Sequence, residues 1–129
     1  MINDPELIGA ARRAALGAYA PYSNFHVGAA LVTESGEMLT GSNVENAAYG
    51  ATICAEANVI STAVAAGARK FFKLAVACVD AVDGEWVYPC GNCRQLMNEF
   101  GVETVIVTAA SGEIRHHVMA DLLPYGFNL

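Results

Sequence analysis

Lys73-Leu74-Ala75-Val76-Ala77-Cys78-Val79-Asp80 is a continuous apolar run closed at each end by a charge. A strand with one wet face alternates polar and apolar residues. A run that is apolar at every position suits a strand buried on both faces of its sheet. Such a sheet needs helices on both sides. Upstream, Cys54 to Ala66 reads as a helix stopped by Gly67 at a plausible C-cap. Before it, Asn43 to Ile53 is a loop rich in Asn and Gly, and Val27–Thr33 and Glu37–Gly41 form a hairpin across Glu34-Ser35-Gly36. The first helix is expected to start at an Asp4 cap with Pro5 at its first position, and to end near Tyr19 because Pro21 follows. Downstream, a loop through Gly84 leads to Pro89, and Gly91–Phe100 reads as a helix before Gly101. Thr104–Thr108 and Ile114–Val118 are strands joined by the tight turn Ala110-Ser111-Gly112, and Ala120–Leu123 is a last helical turn before Pro124. The expected fold is α/β, one domain spanning residues 1–129, with a mixed five-stranded sheet and helices on both faces.

Bulk properties narrow the function. The net charge is -6, and the seven Lys and Arg residues are scattered. Binding a nucleic-acid backbone needs a basic stripe, so no nucleic-acid partner is expected. The apolar stretches are broken well before membrane-spanning length, so no membrane is expected. The segment Met1-Ile2-Asn3-Asp4-Pro5 has no basic n-region or signal-like core, which makes a cytoplasmic location the default expectation. Hydrophobic residues make up 54% and charged residues only 16%, against about 25% charged in ordinary soluble domains. Part of the surface is therefore expected to be covered by a partner subunit.

The four cysteines are Cys54, Cys78, Cys90 and Cys93. In a cytosolic chain, clustered cysteines read as metal or redox chemistry. Cys54-Ala55-Glu56 and Pro89-Cys90-Gly91-Asn92-Cys93 each stand where a helix begins. Cys90 and Cys93, three apart, point the same way in a first helical turn. With Cys54 from a second helix, three thiolates can meet one Zn²⁺ and leave its fourth position open for water. Helix N-termini stabilise the thiolates through unpaired N–H groups and the positive end of the dipole. Three thiolates leave the site at a net charge of -1, which weakens the metal as a Lewis acid, so a nearby base is needed. Glu56 is the candidate. Taken alone, Pro-Cys-Gly-Asn-Cys fits a thioredoxin-type redox pair as well as a metal half-site. The Cys54-Ala55-Glu56 segment favours the metal. A closed structural zinc with Cys78 as fourth ligand is a further alternative, but Cys78 lies inside an apolar strand and suits a small buried hydrophobe.

These segments resemble the C/H-x-E … P-C-x-x-C signature of zinc nucleobase deaminases. The version with Cys in first place resembles the short cytidine deaminase family that acts on free nucleosides. The likeness extends to Pro21-Tyr22-Ser23-Asn24-Phe25, Val27-Gly28-Ala29-Ala30, Asn43-Val44-Glu45-Asn46-Ala47-Ala48-Tyr49-Gly50, Cys93-Arg94-Gln95 and the closing Leu122-Leu123-Pro124-Tyr125-Gly126-Phe127. The resemblance implies hydrolytic deamination of cytidine or deoxycytidine, in pyrimidine salvage, by a homotetramer with shared active sites. It implies one zinc per chain on Cys54, Cys90 and Cys93, with Glu56 as the proton shuttle. Asn43 and Glu45 would bind the ribose hydroxyls, Phe25 would lie against the pyrimidine ring, and the Ala55 main chain would read the base edge. Tyr49 and Phe127 would reach a neighbouring subunit's site.

One departure from the family pattern is Ala57, where many relatives carry an Arg that can hydrogen-bond the cysteine sulfurs. The sulfurs then need other donors, with backbone amides or Arg94 as candidates. The nearest competing family deaminates cytosine-bearing nucleoside antibiotics and shares C-A-E and P-C-G-x-C-R-Q. The Asn43-x-Glu45 pair, suited to a ribose diol, argues for the nucleoside. Polynucleotide-editing deaminases usually place a helix between their last strands, where Ala110-Ser111-Gly112 leaves room only for a turn.

Overall fold

In the computed structural model, which describes residues 1–129, five strands form one sheet. They are β1 (Val27–Thr33), β2 (Met38–Ser42), β3 (Phe71–Cys78), β4 (Thr104–Thr108) and β5 (Ile114–His117), in spatial order β2-β1-β3-β4-β5. Only β3 and β4 run parallel; the other neighbours are antiparallel. The parallel pair is joined by a crossover containing a helix, as parallel pairs require.

The apolar run of the central strand is explained by the two cores. Leu74 and Val76 face one cluster with Ala29, Leu31, Val105 and Val107. Ala75 and Ala77 face the other with Ala30, Val32 and Ile106. Helix α1 (Asp4–Ala15) covers the second cluster through Leu7, Ala10 and Ala11. Helices α2 (Ala55–Ala65) and α3 (Gly91–Glu99), with the short α4 (Met119–Leu122), cover the first. Helices on both faces are thus required by a sheet whose odd and even positions are both apolar.

Several boundaries differ from the sequence expectation. The cap of α1 is Asn3, whose side chain accepts from the Glu6 N–H, and Asp4 is the first helical residue. The helix stops at Ala15, and Tyr19 goes on to bridge Val44 through its own N–H and C=O. The central strand starts at Phe71, fully buried beside Phe100, and leaves the sheet after Cys78. Asp4 accepts from Lys73 Nζ at 2.7 Å and pairs with His116 Nε2 at 2.8 Å, tying α1 to β3 and β5.

Two glycines set how closely helix and sheet approach. A Cβ on Gly28 would stand 1.9 Å from the Ala11 carbonyl oxygen of α1. One on Gly41 would stand 2.8 Å from the Val59 nitrogen of α2. In both cases the obstacle is backbone and cannot swing away. Gly28→Ala is expected to destabilise the chain by roughly 2 kcal/mol or more, the scale of overpacking a dense interior. Gly50→Ala, where a Cβ meets nothing within 4 Å, is expected to stay within about 0.5 kcal/mol. Urea midpoints of the two variants check this.

Candidate metal centre and pocket

The two helices on the same sheet face start side by side. Cys54 is the N-cap of α2 and Cys90 the N-cap of α3, both extended in backbone and neither using its side chain to cap. The sulfurs are therefore free to project beyond the helix ends. Their carbonyls begin the helices, accepting from the N–H of Asn58 and of Arg94. Cys93, one turn into α3, is fully buried. The Cys54 and Cys90 sulfurs are 4.0 Å apart. All three sulfurs lie within 4.8 Å of one another, and no other such cluster of metal-binding side chains occurs in the chain.

Three sulfurs on a tetrahedral zinc would sit about 3.8 Å apart, from a Zn–S bond of about 2.3 Å. The observed spacing needs only a small contraction to meet that value, and the donor set is the soft one zinc accepts. The residues fit the ion. Without it, the three groups share protons. Hydrogen bonds, first from Cys93 and then from Cys90, pull the Cys54 thiol down to about 6, while Cys93, the donor of the first and buried, is pushed up. Cys78 lies outside this cluster, and burial raises its thiol. This removes it as a fourth ligand.

Glu56 stands in the first turn of α2 and is buried. Burial pushes its carboxyl up to about 7, with its own backbone N–H opposing and the Cys54 charge adding to the rise. A carboxyl balanced between its two states near neutrality suits proton transfer in both directions.

A cavity of about 180 Å³ opens beside these groups, lined by Phe25, Asn43, Cys54, Ala55, Glu56 and Cys90 among others. An apolar cavity of about 150 Å³ takes a benzene-sized ring, so this one suits a single six-membered ring. The Asn43 amide is already engaged at this wall. Its Oδ1 accepts from the Val27 N–H and its Nδ2 donates to the Phe25 carbonyl, both at 2.9 Å. Asn43 thereby also fixes Phe25.

Glu45 and Tyr49 line a neighbouring depression of about 350 Å³ with Tyr22, Ser23 and Asn46. Thr52 belongs to both cavities and joins them. The Glu45 carboxylate accepts from the Tyr22 and Ser23 N–H groups and from the Ser23 hydroxyl, and that last bond leads in lowering its pKa. Tyr49 and Phe127 are exposed and neither lines the 180 Å³ cavity of their own chain. Arg94 does not serve the sulfurs. Its Nε donates to the Pro89 carbonyl and its Nη1 to that of Leu122. Two wall residues, Thr52 and Tyr88, were not singled out in the sequence. Tyr88 could have been, from its place next to Pro89-Cys90.

Three cysteine sulfurs within reach of one ion, with no fourth metal-binding side chain in the cluster, beside a buried acid and a ring-sized cavity, fit a catalytic rather than a structural metal centre. Comparison with known proteins agrees. Residues 1–109 match the family model described as cytidine and deoxycytidylate deaminase zinc-binding region. A cytidine deaminase of Mycobacterium tuberculosis is 43% identical over 123 residues, covering 95% of this chain and 88% of that protein. The crystal structure of a cytidine deaminase from Burkholderia pseudomallei superposes with a TM-score of 0.90 at 45% identity, covering 98% of this chain and all of the other. A blasticidin-S deaminase of Bacillus cereus is more distant, at 31% identity over 104 residues, covering 77% of this chain and 74% of that protein. The chain belongs to the zinc-binding cytidine and deoxycytidylate deaminase family. No helix is long and apolar enough to cross a membrane.

Proposed function

We propose that this chain hydrolyses cytidine and deoxycytidine to uridine and deoxyuridine with release of ammonia, as a cytoplasmic enzyme of pyrimidine salvage whose 129 residues act as one catalytic unit. The observation that carries the reading is the buried Glu56 carboxyl in a ring-sized cavity walled by Cys54 and Cys90. Cys54, Cys90 and Cys93 would hold the zinc, one per chain. When bound, the ion supplies Lewis acidity and makes water a nucleophile near neutral pH.

The chain's own residues then do the rest. Phe25 lies against the pyrimidine ring and the Ala55 main chain reads the base edge. Protonated Glu56 gives its proton to N3 as the water oxygen bonds to C4. The carboxylate takes up one proton of the water and passes it to the amino group, which leaves as ammonia as the C4–N bond breaks; the second proton, left on the C4 hydroxyl, returns to the carboxylate as the C4 carbonyl forms. Water plus cytidine thus becomes uridine plus ammonia, with Glu56 restored. Asn43, at the cavity wall, and Glu45, across Thr52, would take the ribose hydroxyls. A net charge of -6 is compatible with an uncharged nucleoside, whereas polyanions favour basic surfaces.

Tyr22 and Tyr49, which line the neighbouring depression, are exposed, as are Val44, Ile53, Tyr125, Phe127 and Leu129. Exposed apolar surface of this kind marks interfaces. The assembly is a homotetramer in which Tyr49 and Phe127 complete a neighbour's site and exclude water from it; the number four comes from the resemblance to short cytidine deaminases.

Glu56→Gln is expected to keep its fold and zinc but lose turnover by roughly 10²–10⁴-fold or more, read by the ultraviolet change as cytidine is consumed. Near-normal turnover would remove Glu56 from the mechanism, and preferential turnover of a cytosine-bearing antibiotic would favour that substrate class instead.

Light scattering is expected to give about four times the chain mass of 13.5 kDa. Glu56→Ala and a chain truncated before Phe127, each inactive, are expected to regain activity when refolded together. A fully active monomer would contradict both the assembly and the sharing.

A further inference from the structure

Tyr88 lines the ring-sized cavity next to Cys90, yet no step above uses it. Pro89 follows it, which disfavours helical backbone at Tyr88 and favours an extended approach to the Cys90 cap. The phenol of this half-buried residue is held from several sides. Its hydroxyl is 2.9 Å from His117 Nε2 on β5, and Arg115 Nη1 donates to the same oxygen at 3.4 Å. The His117 ring packs against the Tyr88 ring with centroids 5.3 Å apart. The Arg94 guanidinium lies 5.9 Å from the Tyr88 ring centre. Arg94 is itself fixed by the Pro89 and Leu122 carbonyls. Arg115 is braced in turn, 3.7 Å over the Trp86 ring. A ring held in this way cannot turn aside without losing the partners of its hydroxyl. It is a fixed wall.

The chemistry indicates which part of the substrate this wall meets. Ala55 and Glu56 open α2, and Tyr88 lies two residues before Cys90, the N-cap of α3. If Glu56 serves N3, the α2 side of the cavity faces the N3 edge of the ring. The other neighbour of the reacting C4 is C5, which then faces the α3 side. We propose that Tyr88 is a specificity-determining residue that limits the size of the substituent accepted at C5, and that His117 is the positioning residue that holds it there. This rests on the functional reading above. A wall that can move discriminates poorly, whereas a fixed one turns an added atom into a steric penalty.

The test uses the full-length zinc-loaded protein. Binding of the products uridine and 5-bromouridine is measured by calorimetry, and turnover of cytidine and 5-bromocytidine by ultraviolet absorbance. Tyr88→Ala is expected to raise 5-bromouridine affinity relative to uridine by roughly tenfold or more, the scale of one methylene-sized step in a fitted pocket. His117→Ala and Tyr88→Phe, which remove either end of the hydroxyl contact, are expected to shift the ratio in the same direction by a smaller factor. His117→Gln, which keeps a hydrogen-bonding group, is expected to restore the wild-type ratio. The discrimination should appear in KM more than in kcat, because the wall acts on fit and not on proton transfer. Absence of cytidine turnover by the wild-type chain would overturn the functional reading and this inference together. Cytidine turnover with an unchanged ratio in Tyr88→Ala would overturn the inference alone. If Tyr88→Ala does not fold, an unchanged ratio in both Tyr88→Phe and His117→Ala overturns it.

Discussion

Two helix N-termini meet at one point, and that convergence governs the arrangement of the rest. Cys54 and Cys90 are the N-caps of α2 and α3, and with Cys93 they bring three sulfurs within 4.8 Å. Thiolates gathered this closely repel one another unless a cation or protons stand between them. The helix ends offset part of that repulsion through their free N–H groups and dipoles. The sheet then has to hold both helices at a fixed separation. It does so through the Gly41 contact with α2 and through the first core, in which Ala55, Val59, Cys93 and Met97 pack on Leu74, Val76 and Val105. The metal cluster and the hydrophobic core are thus continuous: Cys93 belongs to both, and Ala55, beside Cys54, packs in the core.

The same geometry explains why Glu56 is unusual. As the second residue of α2, it follows Cys54 into the interior, where burial raises its carboxyl to about 7. On a solvated first turn the same residue would be an ordinary dipole partner. Its reactivity therefore depends on its placement at a helix end that points inward, under a cavity wall made by Phe25 and Asn43. The arrangement also accounts for Arg94. With Ala57 at the position next to Glu56, a basic side chain near the sulfurs would have to come from α3, but Arg94 is engaged by two carbonyls that fasten the Pro89 turn to the chain's last helix.

Much of this was legible in the sequence for a physical reason. Cysteine pairs at helix starts, glycine stops and a run apolar at every position are local signals, and the elements they mark are present in the structure. The boundaries were less legible where the signal was tertiary. The sequence puts the end of α1 near Tyr19, before Pro21; the chain instead leaves the helix after Ala15, next to Gly17, and Tyr19 goes on to bridge Val44. The central strand begins at Phe71, before the apolar run of the sequence, because Phe71 is buried by Phe100 from the end of α3. At the site, the cysteines and Glu56 could be read from spacing, and Tyr88 from its place before Pro89-Cys90, whereas Thr52 joins the pocket only once the fold brings distant loops together. The division between the ring-sized cavity and the depression holding Glu45 and Tyr49 is likewise a product of the fold, since Asn43 and Glu45 are adjacent in one motif but line different hollows.

The central claim is that three cysteines at paired helix ends hold one zinc ion next to Glu56. Its most direct test is the zinc content and competition-titrated affinity of the purified chain, beside Cys54→Ala, Cys90→Ala, Cys93→Ala and Cys78→Ala. The account predicts about one zinc per chain for the wild type and for Cys78→Ala, with affinity collapsing in each of the other three. A wild-type chain that binds no zinc, or a Cys78→Ala chain that loses it, would contradict the account.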